Sequence, residues 1–254
     1  WSGVLPKGES EMLNRHIKNH HIDLRLGMNL KEILADEYGH VRAVIIPETG
    51  EEIACDLVGL TAGVSPNIDF LKESGLELGR GIKVNPLLET NIKDIYAIGD
   101  CAEQHEGING RRPIEAVWYT GRMMGEALAQ TICGNRTAYQ PGHWFNSAKF
   151  LDIEYQTYGW VFAQPRENES HFHWKHEDDT KCITICTEVS TGKFLGINTF
   201  GIRMRHEVFD RWLTEERGTD YVIEHLKEAN FDPEFFRKLE TEIHSAYNNQ
   251  TVNA

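Results

Sequence analysis

Hydrophobic residues recur along this chain with two different periods, and the change of period divides it. Met12, Leu13, His16 and Ile17 fall on one face at helical spacing, after a loop through Leu5-Pro6 and Gly8 to Ser10, which predicts a helix. Ile22, Leu24 and Leu26 then alternate as a strand does. From Leu30 to Ala62 the pattern is a meander. Strands are expected over 30–35, 41–46, 51–55 and 57–61, and the turns at Tyr38-Gly39 and Thr49-Gly50 leave no room for a helix. A Gly/Pro loop, AGVSPN, leads to a short helix through Phe70 and Leu71, a turn between Gly79 and Gly81, and a short strand opened by Ile82 and Val84. Ile95 to Ile98 are mostly strand formers and run directly into Gly99-Asp100, where the chain must turn. An acidic side chain is thereby expected at the carboxyl end of a buried strand, the place where open α/β sheets bind ligands. The most sustained helical pattern covers 114–132, with Pro113 suited to its start and Gly134 placed as a carboxyl-terminal cap.

Past Pro141 the pattern shifts to aromatic-rich alternation. Strands are expected over 155–162, 170–176, 181–188 and 194–200, with STGK at 190–193 as a hairpin turn. Helices over 205–216, 220–229 and 233–247 close the chain, the last capped by Asp232 with Pro233 in its first turn. Strands followed by helices predict an α+β module on its own core, with a boundary near Gln140.

Composition narrows the function. The 254 residues, 40% of them hydrophobic, can fill one large domain or two ordinary ones. No apolar run approaches the ~18 residues of a membrane span, which argues for a soluble protein. The net charge of −13 repels polyanions, and no basic stripe interrupts it, so nucleic acid is excluded as a partner. Five scattered cysteines, an odd number, point to a reducing compartment and a cytoplasmic location. The chain opens on Trp1 with a pattern that starts as though in mid-domain, so a part of a longer protein is expected.

The run NIKDIYAIGDCAE, followed by a helix rich in small residues, resembles the second flavin-binding motif of the FAD-dependent pyridine-nucleotide-disulfide oxidoreductase superfamily. DLVGLTAGVSPNIDFLKESGLEL resembles the segment in which that family crosses from its NAD(P) domain back to its FAD domain, with the match carried by Gly63, Pro66 and Asn67. The meander is similar to the second half of the NAD(P) domain. The last 110 or so residues are similar to the interface domain of NADH:rubredoxin, nitrite and disulfide reductases. Most of the specificity lies within 58–134.

The resemblance implies an α/β and α+β architecture: partial doubly wound, Rossmann-like domains followed by an α+β interface or dimerisation domain. The implied divisions are 1–57 for half an NAD(P) domain, 58–140 for half a FAD domain, and 141–254 for the interface domain. It implies FAD and NAD(P)H as cofactors and an electron acceptor that is a small molecule or a redox protein. Asp100, after Gly99, would accept a hydrogen bond from a ribityl hydroxyl, and a helix amino end at Ile114, Glu115, Ala116 and Val117 would face the flavin pyrimidine, where amide groups favour negative charge. Gly63 would belong to the same cofactor surface. The sequence departs from the family in having no Gly-x-Gly-x-x-Gly loop and no amino-terminal redox cysteine pair. Both cofactors would therefore need upstream segments, and this chain by itself is expected to be inactive.

Plainer readings compete at several positions. Gly99-Asp100 could be a strand-end turn closed by an Asx hydrogen bond. Gly121 and Gly125 fit close helix–sheet packing, and Cys101 fits a small buried residue better than a reactive thiol. Cys182 and Cys186 fit a core. The pairs His16/His20 and His171/His173 fit solvated surface better than a metal site. Trp160, Phe162, Phe172, Trp174 and Phe200 cannot all share one face of a sheet, so an aromatic surface is expected to remain for a partner, a homodimer foremost. The rival is that Phe209, Trp212, Leu213 and Phe236 of the closing helices cover it within one chain. At the level of function the alternative to an oxidoreductase part is an assembly module that binds no cofactor.

Overall fold

The computed structural model describes residues 1–108, 111–231 and 238–251. The chain forms two compact units, one comprising Ile17–Ser65 and the other Trp1–His16 together with Pro66–Ala254.

The smaller unit is a three-stranded antiparallel meander of β1 (Glu32–Ala35), β2 (Val41–Ile46) and β3 (Glu51–Ala54), in the order β1-β2-β3. The strands expected at 22–26 and 57–61 are irregular instead. Ile22, Leu26, Leu57 and Leu60 are all exposed. Apolar alternation makes a strand only where a neighbour takes its backbone bonds, and no described segment does so here.

In the larger unit, α1 (Lys7–Asn19) precedes that meander in sequence, and its residues up to His16 pack within this unit. Further along, β4 (Ile82–Val84) and β5 (Ala102–Gln104) pair in parallel. Between them the chain turns at Leu88 and returns through 95–98, which is extended but joins its neighbours only by an isolated bridge between Glu89 and Tyr96. The regular strand expected there does not form. A 3-10 turn at Gly99–Cys101 follows. Helix α2 (Trp118–Ile132) lies over this layer, and Val84, Leu88, Ala97, Ala102, Met124 and Tyr139 make the core between them. The helix starts at Trp118, four residues later than its pattern predicts, because Val117 is extended, at φ −135° and ψ 134°.

The carboxyl-terminal part is an antiparallel sheet of β6 (Phe145–Phe150), β7 (Ile153–Gly159), β8 (Glu169–Lys175), β9 (Cys182–Glu188) and β10 (Phe194–Phe200), in the order β6-β7-β10-β9-β8. Strand β6 is absent from the sequence expectation, and β7 ends at Gly159, where φ turns to +68°, short of Phe162. Helices α3 (His206–Thr214), α4 (Thr219–Glu224) and α5 (Glu240–Thr251) follow. The helix expected over 220–229 breaks at His225 into α4 and a 3-10 turn. Asp232, Pro233 and Phe236 lie outside the described residues.

Both faces of this sheet are covered. Phe172, Trp174, Ile183 and Ile197 pack under Phe209, Trp212 and Leu213 on one side. Ile153, Cys182 and Phe200 pack under Leu5, Met12 and Leu13 of the α1 segment on the other. Phe200 thus faces opposite to Phe172 and Trp174, as alternation requires. Trp160 and Phe162 lie beyond the end of β7, and Trp160 stacks in parallel between Trp144, at 5.2 Å between ring centres, and Phe162, at 5.7 Å. These three rings are half-buried.

Candidate cofactor site

The turn at Gly99 is built by its neighbours. Residues 95–97 run back along 88–90, with the Ala97 N–H on the Leu88 carbonyl at 3.2 Å and the Thr90 N–H on the Ile95 carbonyl at 3.0 Å. Gly99 then takes φ +76°, a conformation that costs a side-chain-bearing residue about 1–2 kcal/mol. Its N–H points at the Met124 sulfur of α2, 3.3 Å away, and the turn closes through the Ala102 N–H on the Gly99 carbonyl. A β-carbon on Gly99 would meet nothing within 4 Å. Asp100 is exposed, and among the described residues it makes neither a hydrogen bond nor an ion pair. The Asx bond that would explain it as a turn residue is therefore absent within the described chain, and its carboxylate is left facing open space.

Helix α2 lies close against this turn. A β-carbon on Gly121 would stand 3.5 Å from Gly99 Cα, and one on Gly125 would stand 3.9 Å from Ile98 Cδ1. Both are ordinary packing distances, at which a methyl group would fit. The amino end of α2 has no side-chain cap, so its first-turn N–H groups remain available. Beside it an open cleft of about 400 Å³ is lined by Ala116, Val117, Trp118, Tyr119, Asn146 and Ser147. The Tyr119 hydroxyl meets the Ser147 hydroxyl at 2.8 Å across the back of this cleft.

The residues expected at the helix amino end divide in their roles. Ile114 to Val117 form the approach to α2 and not its first turn. The Glu115 side chain is buried and accepts two bonds from the Arg111 guanidinium, at 2.9 and 2.6 Å. Its carboxylate is committed to Arg111, so only its backbone is left to serve the role expected of it. The Val117 N–H bonds back to the Glu115 carbonyl at 2.9 Å. Ala116 is exposed at the cleft and Ile114 half-buried. Gly63 belongs to the smaller unit, where it takes φ +95° with open space around it.

Arg111, Tyr119, Asn146 and Ser147 are the residues here that sequence reasoning missed. Arg111 had a legible signal, the i,i+4 spacing to Glu115. It also donates to the Pro141 carbonyl at 2.9 Å and lies over the Trp144 ring at 5.2 Å, which ties the approach loop to the start of the carboxyl-terminal sheet. Asn146 and Ser147 had none, because β6 was not expected.

Nearby, Glu103 supports β4 against β5. Burial by itself would raise its pKa, but the Lys83 ammonium at 2.6 Å and the Gly81 N–H at 2.8 Å hold it below the usual carboxylate range. Cys101 is half-buried, not buried as expected, and its thiol reaches the Ile98 carbonyl. Cys182 and Cys186 are core residues whose thiols burial pushes up, Cys186 to about 12, and both are inert as nucleophiles. His16, expected on the surface, is buried against Asp152 at 2.5 Å. His173 bonds to Thr184 at 2.9 Å.

Comparison with known proteins places this geometry. Residues 3–125 match the pyridine nucleotide-disulphide oxidoreductase family. The chain is 34% identical over 136 residues to the rubredoxin-NAD(+) reductase of Acinetobacter baylyi, covering 53% of this chain and 32% of that protein. It is 30% identical over 148 residues to an NADH oxidase of Methanocaldococcus jannaschii, covering 57% and 32%. The matched stretch thus spans about a third of each curated relative. Its fold superposes on an FAD-dependent pyridine nucleotide-disulphide oxidoreductase from Desulfovibrio vulgaris with a TM-score of 0.71, at 21% identity, over 99% of this chain and 62% of that one. Residues 3–125, which hold the Gly99-Asp100 turn and most of the α2 helix packed on it, thus carry the pattern of the pyridine nucleotide-disulphide oxidoreductase family, and the chain as a whole shares the fold of the Desulfovibrio vulgaris protein.

Proposed function

We propose that this chain is the carboxyl-terminal part of a FAD-dependent NAD(P)H oxidoreductase, with 1–57 from the NAD(P) domain, 58–140 from the FAD domain and 141–254 as interface domain. The observation that carries the reading is Asp100: an exposed carboxylate without a partner among the described residues, set on a positive-φ glycine with open space beside it. A ribityl hydroxyl fits that acceptor, and the cleft beside Ala116 and Val117 has room for the edge of a planar ring. When bound, FAD supplies the capacity to take a hydride from a nicotinamide and release electrons one or two at a time.

The chain's own contributions follow from its geometry. Asp100 would accept a hydrogen bond from the ribityl chain and so help to hold it. The uncapped amino end of α2 would offer N–H dipoles that favour negative charge on the bound ring. At Gly121 the helix lies on the turn with no side chain between them. The Arg111–Glu115 pair holds the approach loop in its extended path. Gly63, in the segment that crosses between domains, is proposed as a cofactor-binding residue in its own right.

The acceptor is proposed to be a small molecule or a redox protein, in keeping with the names of the NADH oxidase and rubredoxin reductase relatives. A homodimer is part of the proposal, with the half-buried Trp144–Trp160–Phe162 stack as its aromatic surface.

Flavin content tests the reading. The full-length protein that carries this chain is expected to purify yellow and to oxidise NADH or NADPH. The 254-residue chain by itself is expected to elute colourless from gel filtration after incubation with FAD, since it has no glycine loop to grip the pyrophosphate. A colourless, inactive full-length protein would favour the assembly-module reading.

A further inference from the structure

Glu9 is a buried carboxyl with no cation bonded to it among the described residues. It sits on α1 with no exposed surface, facing the carboxyl-terminal sheet. Its Oε2 accepts a bond from the Asn198 amide of β10 at 2.9 Å, while Oε1 has no partner among the described residues. Around it α1 is seated by Met12 and Leu13, both wholly buried, and by Gly8, where a β-carbon would lie 2.5 Å from His173 Nε2. Toward its carboxyl end Arg15 grips Asp179 through two bonds of 2.7 and 2.9 Å. At the amino end Trp1 meets Phe150 edge-on at 4.7 Å.

The groups that face Glu9 supply no positive charge. From β7 there is Tyr155, from β9 Cys182 and Thr184, from β10 Asn198, and from β8 His173 beneath Gly8. Burial raises the Tyr155 and Cys182 pKa values and lowers that of His173, so all three are neutral near pH 7. On α1 itself Lys7 and Glu11 pair with each other out in solvent. A buried carboxylate needs a cation or a full set of donors, and this one has neither, whereas a neutral carboxylic acid is satisfied by much less.

We infer that α1 is a proton-dependent latch, seated most tightly on the carboxyl-terminal sheet while Glu9 carries its proton and loosened when that proton is lost. The sign follows from burial, which pushes Glu9 from 4.5 up to about 7 against the weaker opposing influence of the Asn198 amide and the nearby Thr184 hydroxyl. Below pH 4.5 the carboxyl is protonated whether α1 is seated or free, so seating does not vary. Between pH 4.5 and about 7 the free helix ionises and the seated one does not, so seating weakens about tenfold per pH unit, or about 300-fold in all. Above pH 7 both forms are ionised and the dependence flattens.

Hydrogen exchange on the full 254-residue chain tests this. Protection of residues 8–16, corrected for intrinsic rates and referenced to β9, is expected to fall about 300-fold between pH 4.5 and 7 and then level off. Glu9→Gln keeps the shape and a bond to Asn198 but cannot ionise, so its profile should be flat. A flat wild-type profile, or a Glu9→Gln profile with the wild-type slope, would overturn the latch. Carbon-13 NMR of the Glu9 carboxyl provides a readout that does not depend on the variant folding. A midpoint near 7 supports the latch, and a midpoint near 4.5 overturns it.

Discussion

Gly121 of α2 stands directly over Gly99, with only 3.5 Å between the place of its β-carbon and the Gly99 α-carbon. The helix therefore rests on the turn that presents Asp100 with no side chain between them. A methyl group fits at that distance, and a helix interior prefers Ala to Gly by about 0.8–1 kcal/mol. Gly121→Ala is accordingly expected to raise stability slightly. Gly121→Leu overfills the contact and should cost about 1–3 kcal/mol. Urea unfolding of the two variants separates them, and equal effects would show that the contact is not tight.

Asp100→Ala in the flavin-loaded full-length protein removes one charge-assisted hydrogen bond, worth about 1.5–3 kcal/mol. Flavin release under mild chaotrope should become about 10- to 150-fold easier, with the far-ultraviolet dichroism unchanged. Retention equal to wild type would remove Asp100 from the cofactor site.

Glu115→Ala leaves the Arg111 guanidinium buried without its carboxylate, a loss expected to cost about 3–5 kcal/mol. The double variant Arg111→Met, Glu115→Leu removes both charges and should recover most of that stability. Chemical denaturation of both decides the point. A double variant as unstable as the single one would mean that Arg111 acts chiefly through its bond to the Pro141 carbonyl and its contact with Trp144.

The acid side of the α1 seat depends on Asp179, whose bonds to Arg15 hold its pKa at about 2 against an ordinary 3.8. A depressed carboxylate contributes stability above pH 3.8 that is lost as pH falls through about 2. The pair is partly exposed, so the contribution is expected to stay below about 1 kcal/mol. Protection of α1 in Asp179→Asn should match wild type at pH 2 and fall slightly short of it at pH 5. Equal protection at both would show that the ion pair does not anchor the helix.

Light scattering checks the assembly. A homodimer gives a mass near twice 29.1 kDa at high concentration. If Trp160 and Phe162 form its surface, Trp160→Ser should return it to a single chain mass. A single-chain mass across a hundredfold dilution series would remove the dimer from the proposal.

What the amino-acid sequence determined by itself is local. Strands β2 and β10 match their patterned bounds to the residue, α1 covers its apolar face, and the Gly99-Asp100 turn sits at the end of the extended run that leads into it. Such features depend on the spacing of apolar side chains and on one glycine, both readable within a dozen residues. The tertiary structure decided which segments found partners. The apolar runs at 22–26 and 57–61 stay irregular with no described neighbour to bond them, while the half-polar FNSAKF becomes β6 because β7 lies alongside. Glu115 reads as part of a helix amino end until Val117 proves extended and Arg111 takes its carboxylate, and Glu9 reads as part of a loop until α1 starts at Lys7 and packs it, buried, against β10. A residue's own chemistry states what it can bind or bury. Which partner it meets is set by contacts between segments far apart in sequence, and those exist only in the folded chain.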